Sequence, residues 1–530
     1  MEWETNGLGA DQVWTGCGPG TNFVKGRDMG LKSYGEHGVK ALLRNKIPSA
    51  FRRFDSLACA RDAVMPSLFA KMEDGTERGE ENTENVEKAQ SYRDATAVFL
   101  DGNVILQAVP ETVSTLAAYT EVVYRYVKEA MVAGALVIVV FDEPHVLTSA
   151  KKEEQCRRDQ QRRQRAIVTS DDFDAIQLPE DFSAKDIEIL EDVHILKNDR
   201  RYRIRLFDEV IKRVFDRTTV EIEQAASTGN ATGVAGGIGG IGGCLILDGV
   251  DLRGADRPHG VSREPAMHST NPDIGAHFVR SVPIGEGDVK LMWIDNRLRE
   301  LKLTNTQFAN YHLALTSTID TDSIAIMLLD IAKRRVNPYH TTLSSLLCMR
   351  EPPNKRDREW DPSARASFNC FDPQKCEALI QQHLWSMGPG DVPPEEATPV
   401  ACLNAMLAFT SAAALCGCDF TLDGLKGVSG RFDHFWNSLP KFVTDEPEAL
   451  ACFGNTLAGE SVVALNATRG LRRVCYHASE YMTTLARYKK QAANVQEAPR
   501  ELLKRSVWAA AYWAQVEYPA TVEFGFHPTF

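Results

Sequence analysis

Seven acidic residues have the types and spacing to hold metal ions: Asp101, Asp142, Glu286, Asp288, Asp320, Asp322 and Asp419. Four of them form two close pairs, Glu286 with Asp288 in Gly285-Glu286-Gly287-Asp288-Val289-Lys290, and Asp320 with Asp322 in Ile319-Asp320-Thr321-Asp322-Ser323. In extended chain a spacing of two puts both carboxylates on one side, and glycines around the first pair let the backbone turn tightly. Each pair is suited to grip one ion. Carboxylates gathered in one cleft cannot all stay ionised without cations, because like charges a few ångströms apart raise each other's pKa. Oxygen-only ligands favour Mg²⁺ or Mn²⁺ over zinc. Two such ions about 4 Å apart stabilise the attacking hydroxide and the leaving oxygen of an in-line phosphodiester hydrolysis. Metal-assisted phosphodiester cleavage is the reaction class these residues imply.

A basic run follows soon after Asp142, Ser149-Ala150-Lys151-Lys152-Glu153-Glu154-Gln155-Cys156-Arg157-Arg158-Asp159-Gln160-Gln161-Arg162-Arg163-Gln164-Arg165. Its Lys and Arg residues recur every three to four positions, the spacing of one helix face, and Lys151 and Arg158 lie two turns apart on that face. Taken alone, such a run is a solvated helix surface. Beside a metal ligand it is also a phosphate clamp, with Lys151, Lys152, Arg157, Arg158 and Arg162 as its contacts.

Three apolar, β-branched runs must position these groups, each stopping on an aspartate: Ala97 to Asp101, Leu136 to Asp142, and Tyr311 to Asp320. Runs without clean alternation suit strands buried on both faces of a parallel sheet. A helical stretch, residues 113–133, lies between the first two and makes a strand, helix, strand unit. In open parallel α/β sheets functional groups gather beyond the carboxyl ends of the strands, where all three aspartates would lie. A single strand-end Asp is ordinarily a helix N-cap; three in one sheet, with further acids nearby, point beyond capping.

The remaining organisation follows from composition. At 530 residues, with 43% hydrophobic and 25% charged residues, the chain has the make-up of a soluble globular protein with a substantial core. Its longest apolar stretch, residues 130–141, is too short to span a bilayer, and the acidic start Met1-Glu2-Trp3-Glu4 does not resemble a targeting peptide, so we expect a soluble intracellular protein without membrane contact. The 12 cysteines contain no CxxC pair and are expected as reduced thiols. A net charge of −12 excludes general charge-driven coating of nucleic acid, but not a nuclease with a local basic element. Residues 72–87 read as a polar acidic loop, and residues 227–243 as a Gly-rich linker lacking the Lys-Ser/Thr ending of a phosphate loop. An amphipathic helix is expected over 203–218, a helix over 402–415, and a last helix over 501–516, whose Trp508, Tyr512 and Trp513 stripe reads as core.

At this point the residues resemble a family, the 5′-nuclease superfamily that includes flap endonucleases and Xrn-type 5′-to-3′ exoribonucleases. Gly38-Val39-Lys40-Ala41-Leu42-Leu43 through Pro48-Ser49-Ala50 is similar to the family's N-terminal segment, residues 97–103 to its first metal-binding strand, and residues 139–144 to its Val-Phe-Asp-Gly-x-Pro motif. Gly285-Glu286-Gly287-Asp288-Val289-Lys290 resembles the Xrn pattern Gly-Glu-Gly-Glu-His-Lys, and Asp320-Thr321-Asp322 the Asp-x-Asp of both branches. Gly417-Cys418-Asp419-Phe420, with Gly427-Val428-Ser429-Gly430, resembles the flap-endonuclease helix-three-turn-helix.

The resemblance implies an α/β fold: a PIN-like parallel-sheet nuclease core, a helix-three-turn-helix region and a helical C-terminal part. It divides the chain into an N-terminal extension (1–37), a first core part (38–168), an insertion at the arch position with the Gly-rich linker (169–280), a second core part (281–345), a connection (346–400), the helix-three-turn-helix region (401–450) and a helical C-terminal region (451–530). It implies two Mg²⁺ or Mn²⁺ ions, with Asp101, Asp142 and Asp288 on the one nearer the nucleophile, Glu286, Asp320 and Asp322 on the other, and Asp419 in the shared outer shell. Lys151 and Arg158 would stabilise the scissile phosphate. Gly427, Ser429 and Gly430 would hold duplex phosphates, with K⁺ at that turn. Four departures are visible: Asp288 replaces a Glu and is one methylene shorter, which predicts a water-mediated metal contact; Ser429 stands where flap endonucleases have Gly; 37 residues precede Gly38, where family members usually begin; and the insertion at the arch position matches no pattern of the family.

Three functions stay open on this reading. The helix-three-turn-helix signature favours a structure-selective DNA 5′-nuclease of replication or repair, acting on a 5′ flap or free 5′ end. The Gly-Glu-Gly-Asp segment favours a 5′-to-3′ exoribonuclease. A third is an inactive nucleic-acid-binding scaffold of the same fold.

Overall fold

The computed structural model describes residues 39–70, 91–110, 112–143, 160, 183–198, 200–227, 243–258, 261–280, 284–318, 322–336, 343–350, 368–386, 398–416, 418, 432–445, 447–448, 450–451 and 506–514. Eight strands form one sheet: β1 (Phe51–Phe54), β2 (Thr96–Asp101), β3 (Leu136–Val140), β4 (Cys244–Val250), β5 (Ala266–Ser269), β6 (Leu313–Thr318), β7 (Ser344–Arg350) and β8 (Phe368–Phe371), in the order β1-β8-β7-β6-β2-β3-β4-β5. The five central strands, β7-β6-β2-β3-β4, are parallel, while β5, β8 and β1 add antiparallel edges. The fold class is α/β, with a mixed, mostly parallel sheet.

The three runs read as strands are strands buried on both sides, and their lack of polar alternation has a simple cause. Ala97 and Phe99 of β2 and Leu136, Ile138 and Val140 of β3 face one core; Val98, Leu100, Val137 and Val139 face the other. Helices α1 (Val39–Lys46), α8 (Gly287–Thr304), α9 (Asp322–Val336), α10 (Pro373–Leu384), α11 (Pro399–Leu415) and α12 (Asp433–Asp445) contribute to the first core. Helices α2 (Leu57–Ala70), α3 (Gly102–Ala108), α4 (Leu116–Ala133), α5 (Ala184–Glu188) and α6 (Arg200–Ser227) contribute to the second. A short α7 (Pro272–Ala276) follows β5. Residues 506–513 are helical, with Trp508, Tyr512 and Trp513 buried in the first core, as their spacing predicts. No described helix is long and apolar enough to cross a membrane, and the described cysteines are free thiols.

Connectivity fixes where a site can form. The chain moves from β2 outward through β3 to β4, then returns to the other side of β2 with β6 and continues to β7. Winding therefore reverses between β2 and β6, and the loops leaving their carboxyl ends diverge to opposite faces and open a crevice.

Several segments sit differently from the sequence expectation. Within residues 169–280, expected as an insertion, β4 pairs parallel with β3 and β5 pairs with β4, so this stretch supplies two strands of the central sheet. Its helix is also longer than 203–218: α6 runs 28 residues. Residues 346–400, expected as a connection, supply most of β7, all of β8 and α10. β5 and β8 are only four residues long, β4 and β7 are flanked by Gly-rich or Pro-rich sequence, and all four gain their backbone partners only from the sheet.

Candidate metal centre

Asp101 is the last residue of β2 and the N-cap of α3, its Oδ1 accepting from the backbone amides of Asn103 (3.0 Å) and Val104 (3.2 Å). The ordinary capping role of a strand-end aspartate is therefore present. Asp142 lies two residues beyond β3, on the neighbouring strand end. Between the two runs the first turn of α8. The Gly287 amide donates to Asp142 Oδ1 at 2.7 Å, and the Glu143 amide donates to the Gly285 carbonyl at 2.8 Å, so the two backbones are laced together. A Cβ on Gly287 would stand 3.3 Å from Asp142 Oδ1 and 3.8 Å from Asp101 Oδ1, which places both carboxylates around one glycine.

The flanking acids follow. Glu286, buried, is the N-cap of α8, and Asp288 is in its first turn. Ser323 Oγ donates to Asp288 Oδ1 at 2.7 Å, which brings the start of α9 and its first residue, the buried Asp322, to the same edge. The extended-chain geometry expected for the first acidic pair does not hold: Asp288 is helical, and Gly287 starts a helix instead of continuing a strand; Asp322 is the first residue of α9, while its pair partner Asp320 lies outside the described residues. At helix N-termini the unpaired amides favour negative charge.

Asp101, Asp142, Glu286, Asp288 and Asp322 thus come to the carboxyl edge of β2, β3 and β6, at the reversal of winding. Asp320 and Asp419 lie outside the described residues, as do Lys151, Lys152, Arg157, Arg158 and Arg162 of the basic run and Gly427, Ser429 and Gly430 of the expected turn. Among the described residues no three donor groups converge tightly enough to form a ready cage for an ion. The donor set itself, all carboxylate oxygen, fits a hard divalent cation.

Behind this edge lies a buried ionic cluster. Lys290, one turn after Glu286, is fully buried: its Nζ donates to the Phe141 carbonyl (2.8 Å) and to Glu143 Oε1 (2.5 Å), and stands 3.7 Å from Asp248 Oδ2. Arg280 bridges the same two acids, with Nη2 at 3.0 Å from Asp248 Oδ1 and 3.3 Å from Glu143 Oε1. Two cations answer two carboxylates. Burial pushes the Lys290 ammonium below its ordinary pKa, while Asp248 and Glu143 hold it up. Gly249 makes room for it: its φ of +90° suits glycine, and a Cβ there would lie 2.8 Å from Lys290 Nζ and 2.7 Å from the Phe141 carbonyl oxygen.

Asp248, Glu143 and Arg280 were not singled out by sequence reasoning, although a signal existed. Cys244-Leu245-Ile246-Leu247-Asp248 is a fourth apolar run stopping on an aspartate, hidden because the Gly-rich stretch before it reads as linker. No protein-family model matches this chain, and no curated protein matches it in sequence.

Proposed function

We propose that this protein is a divalent-metal-dependent phosphodiesterase of the 5′-nuclease type, acting on nucleic acid. One observation carries the reading: Asp101 and Asp142, from adjacent parallel strand ends, flank the Gly287 amide, and the Asp288–Ser323 contact joins Asp322 to the same edge. Asp101, Asp142, Glu286, Asp288 and Asp322, with Asp320 two residues beyond the described part of β6, would hold the ions. Bound there, two Mg²⁺ or Mn²⁺ ions would supply the Lewis acidity for in-line phosphodiester hydrolysis.

The chain's own contribution is positional. The Gly287 amide fixes one Asp142 oxygen, the α3 amides fix one Asp101 oxygen, and Ser323 fixes one Asp288 oxygen. A ligand shell restrained in this way loses little conformational entropy when it takes up an ion. Lys151 and Arg158, nine and sixteen residues after Asp142, are assigned to the scissile phosphate, where a fixed cation stabilises developing charge.

DNA carrying a 5′ flap or free 5′ end is the first substrate reading. The Gly-Glu-Gly-Asp start of α8 favours a second, 5′-to-3′ hydrolysis of RNA. The test is incubation with Mg²⁺ or Mn²⁺ and end-labelled 5′-flap DNA, nicked duplex DNA or 5′-monophosphate RNA, alongside Asp320→Asn. Metal-dependent cleavage that the variant abolishes supports the proposal, and the preferred substrate selects the branch. A folded protein that cleaves none of them overturns it in favour of a binding scaffold.

A further inference from the structure

β7 ends on Arg350, two strands from β2 and its terminal Asp101, with β6 between them. Parallel pairing sets Met349 beside Thr318 and Leu100 beside Ser317, so Arg350, Ser317 and Asp101 reach the carboxyl edge at similar heights. Neighbouring strands stand about 4.8 Å apart, which separates the backbones of Arg350 and Asp101 by about 10 Å. A small cleft opens there on the α2 and α4 face of the sheet, its walls largely apolar, with Asp101, Ser317, Thr318, Tyr126, Glu129 and Arg350 as the polar residues of its lining.

Arg350 is held in this cleft without a close carboxylate. Its guanidinium carbon lies 3.7 Å from the Tyr126 ring centroid and 5.9 Å from that of Phe368. No carboxylate among the described residues forms an ion pair with it; Glu129 acts on it only at longer range. A guanidinium lying over a ring keeps its N–H donors in its own plane, at the rim of the stack, where they match a tetrahedral oxyanion.

The two acids in the wall oppose an anion less than a count suggests. One Asp101 oxygen is engaged by the α3 amides. Burial pushes the Glu129 carboxyl up from its ordinary range, while Arg350 and the Leu57 amide pull it back.

We propose that this cleft is a phosphate-binding site, with Arg350 as its charged anchor and the Ser317 hydroxyl as a second donor. It rests on the nuclease reading only for the source of the phosphate: either a nucleoside monophosphate or a phosphodiester of the bound strand. The site lies on the sheet face opposite α8 and α9 and gives the reacting strand a contact on that face.

The test is calorimetric titration of the full chain with inorganic phosphate, a 5′-nucleoside monophosphate and a 5′-hydroxyl dinucleotide, each in EDTA and in Mg²⁺. Phosphate binding in EDTA that weakens at least tenfold in Arg350→Gln, less in Arg350→Lys, and severalfold in Ser317→Ala supports the site. Tighter binding of the mononucleotide than of the dinucleotide assigns the monoester; the reverse assigns the strand. Absence of phosphate binding in the wild type overturns the proposal, as does binding unchanged in Ser317→Ala and in a folded Arg350→Gln. If Arg350→Gln does not fold, Ser317→Ala decides. The nuclease reading fails separately: a protein that binds phosphate through Arg350 but cleaves nothing keeps the site and loses the reaction.

Discussion

Replacing Lys290 by methionine tests how the carboxylate edge is held. Methionine nearly fills the volume of the lysine stem and removes only the ammonium, so packing changes little. What is lost is one of two cations facing two buried acids, together with the bond from Nζ to the Phe141 carbonyl. Breaking a buried ion pair from one side costs about 3–5 kcal/mol, chiefly because the remaining charge is stranded. Here both carboxylates keep Arg280, at 3.0 Å for Asp248 and 3.3 Å for Glu143, so the low end, about 3 kcal/mol, is expected. With a urea slope of about 3 kcal/mol/M, the unfolding midpoint should fall by about 1 M.

The substitution should also reach the site. Lys290 ties the first turn of α8, which carries Glu286 and Asp288, to the residue just before Asp142. Lys290→Met should therefore weaken Mg²⁺ binding at least severalfold in a calorimetric titration, by loosening groups it does not itself coordinate. Asp295→Ala is the control: it removes a buried acid held by Arg299 and Arg334 further along the same helix and should cost about 3–5 kcal/mol with little change in Mg²⁺ affinity. A Lys290→Met protein within about 1 kcal/mol of wild type would refute the energetics. Equal losses of Mg²⁺ affinity in both variants would refute the positional argument.

Three further outcomes are expected. Asp101→Asn keeps an N-cap acceptor for the Asn103 and Val104 amides and should leave the urea midpoint nearly unchanged while abolishing metal-dependent cleavage, whereas Asp101→Ala should add a stability loss of about 1 kcal/mol. Gly249→Ala forces φ +90° on a residue with a Cβ and crowds Lys290 Nζ, so it should cost about 1–3 kcal/mol, measured by urea unfolding, and less when introduced into Lys290→Met. Burial raises the pKa of Asp251, but hydrogen bonds from the Arg253 side chain and from the Glu264 and Arg253 amides outweigh it and hold the carboxyl well below the usual range. Because the folded pKa is depressed, the stabilisation is present above the unfolded pKa and fades as pH falls: the gap between wild type and Asp251→Asn should narrow from about pH 4 downward, and a gap independent of pH would refute this.

What the sequence disclosed and what it withheld divide along a physical line. β2, β3 and β6 are legible because a strand covered on both faces must be apolar at every position, and that demand is written locally. The strand-end aspartates are legible for the same reason, since a carboxylate cannot interrupt such a run and must end it. β4 meets the same criterion, yet its place beside β3 depends on a return of the chain across more than a hundred residues, which no local pattern encodes. The short edge strands β1, β5 and β8, four residues each, carry too few positions for any period to show.

The same division explains the site. Types and spacing single out Asp101, Asp142, Glu286, Asp288 and Asp322, but the identity of what holds them comes from tertiary contact. Glu143 and Lys290 are 147 residues apart and meet only because β3 ends where α8 begins. Asp248 enters the cluster only through the pairing of β4 with β3. The Glu286–Asp288 pair shows why the backbone matters: the spacing that looks like one side of an extended chain becomes, once a helix starts at Gly287, an N-cap and a first-turn carboxylate facing a strand edge. A helix start fixes each carboxylate against its own amides, so the arrangement depends on the anchors behind it, and Lys290 is the anchor whose loss should be felt at the carboxylates first.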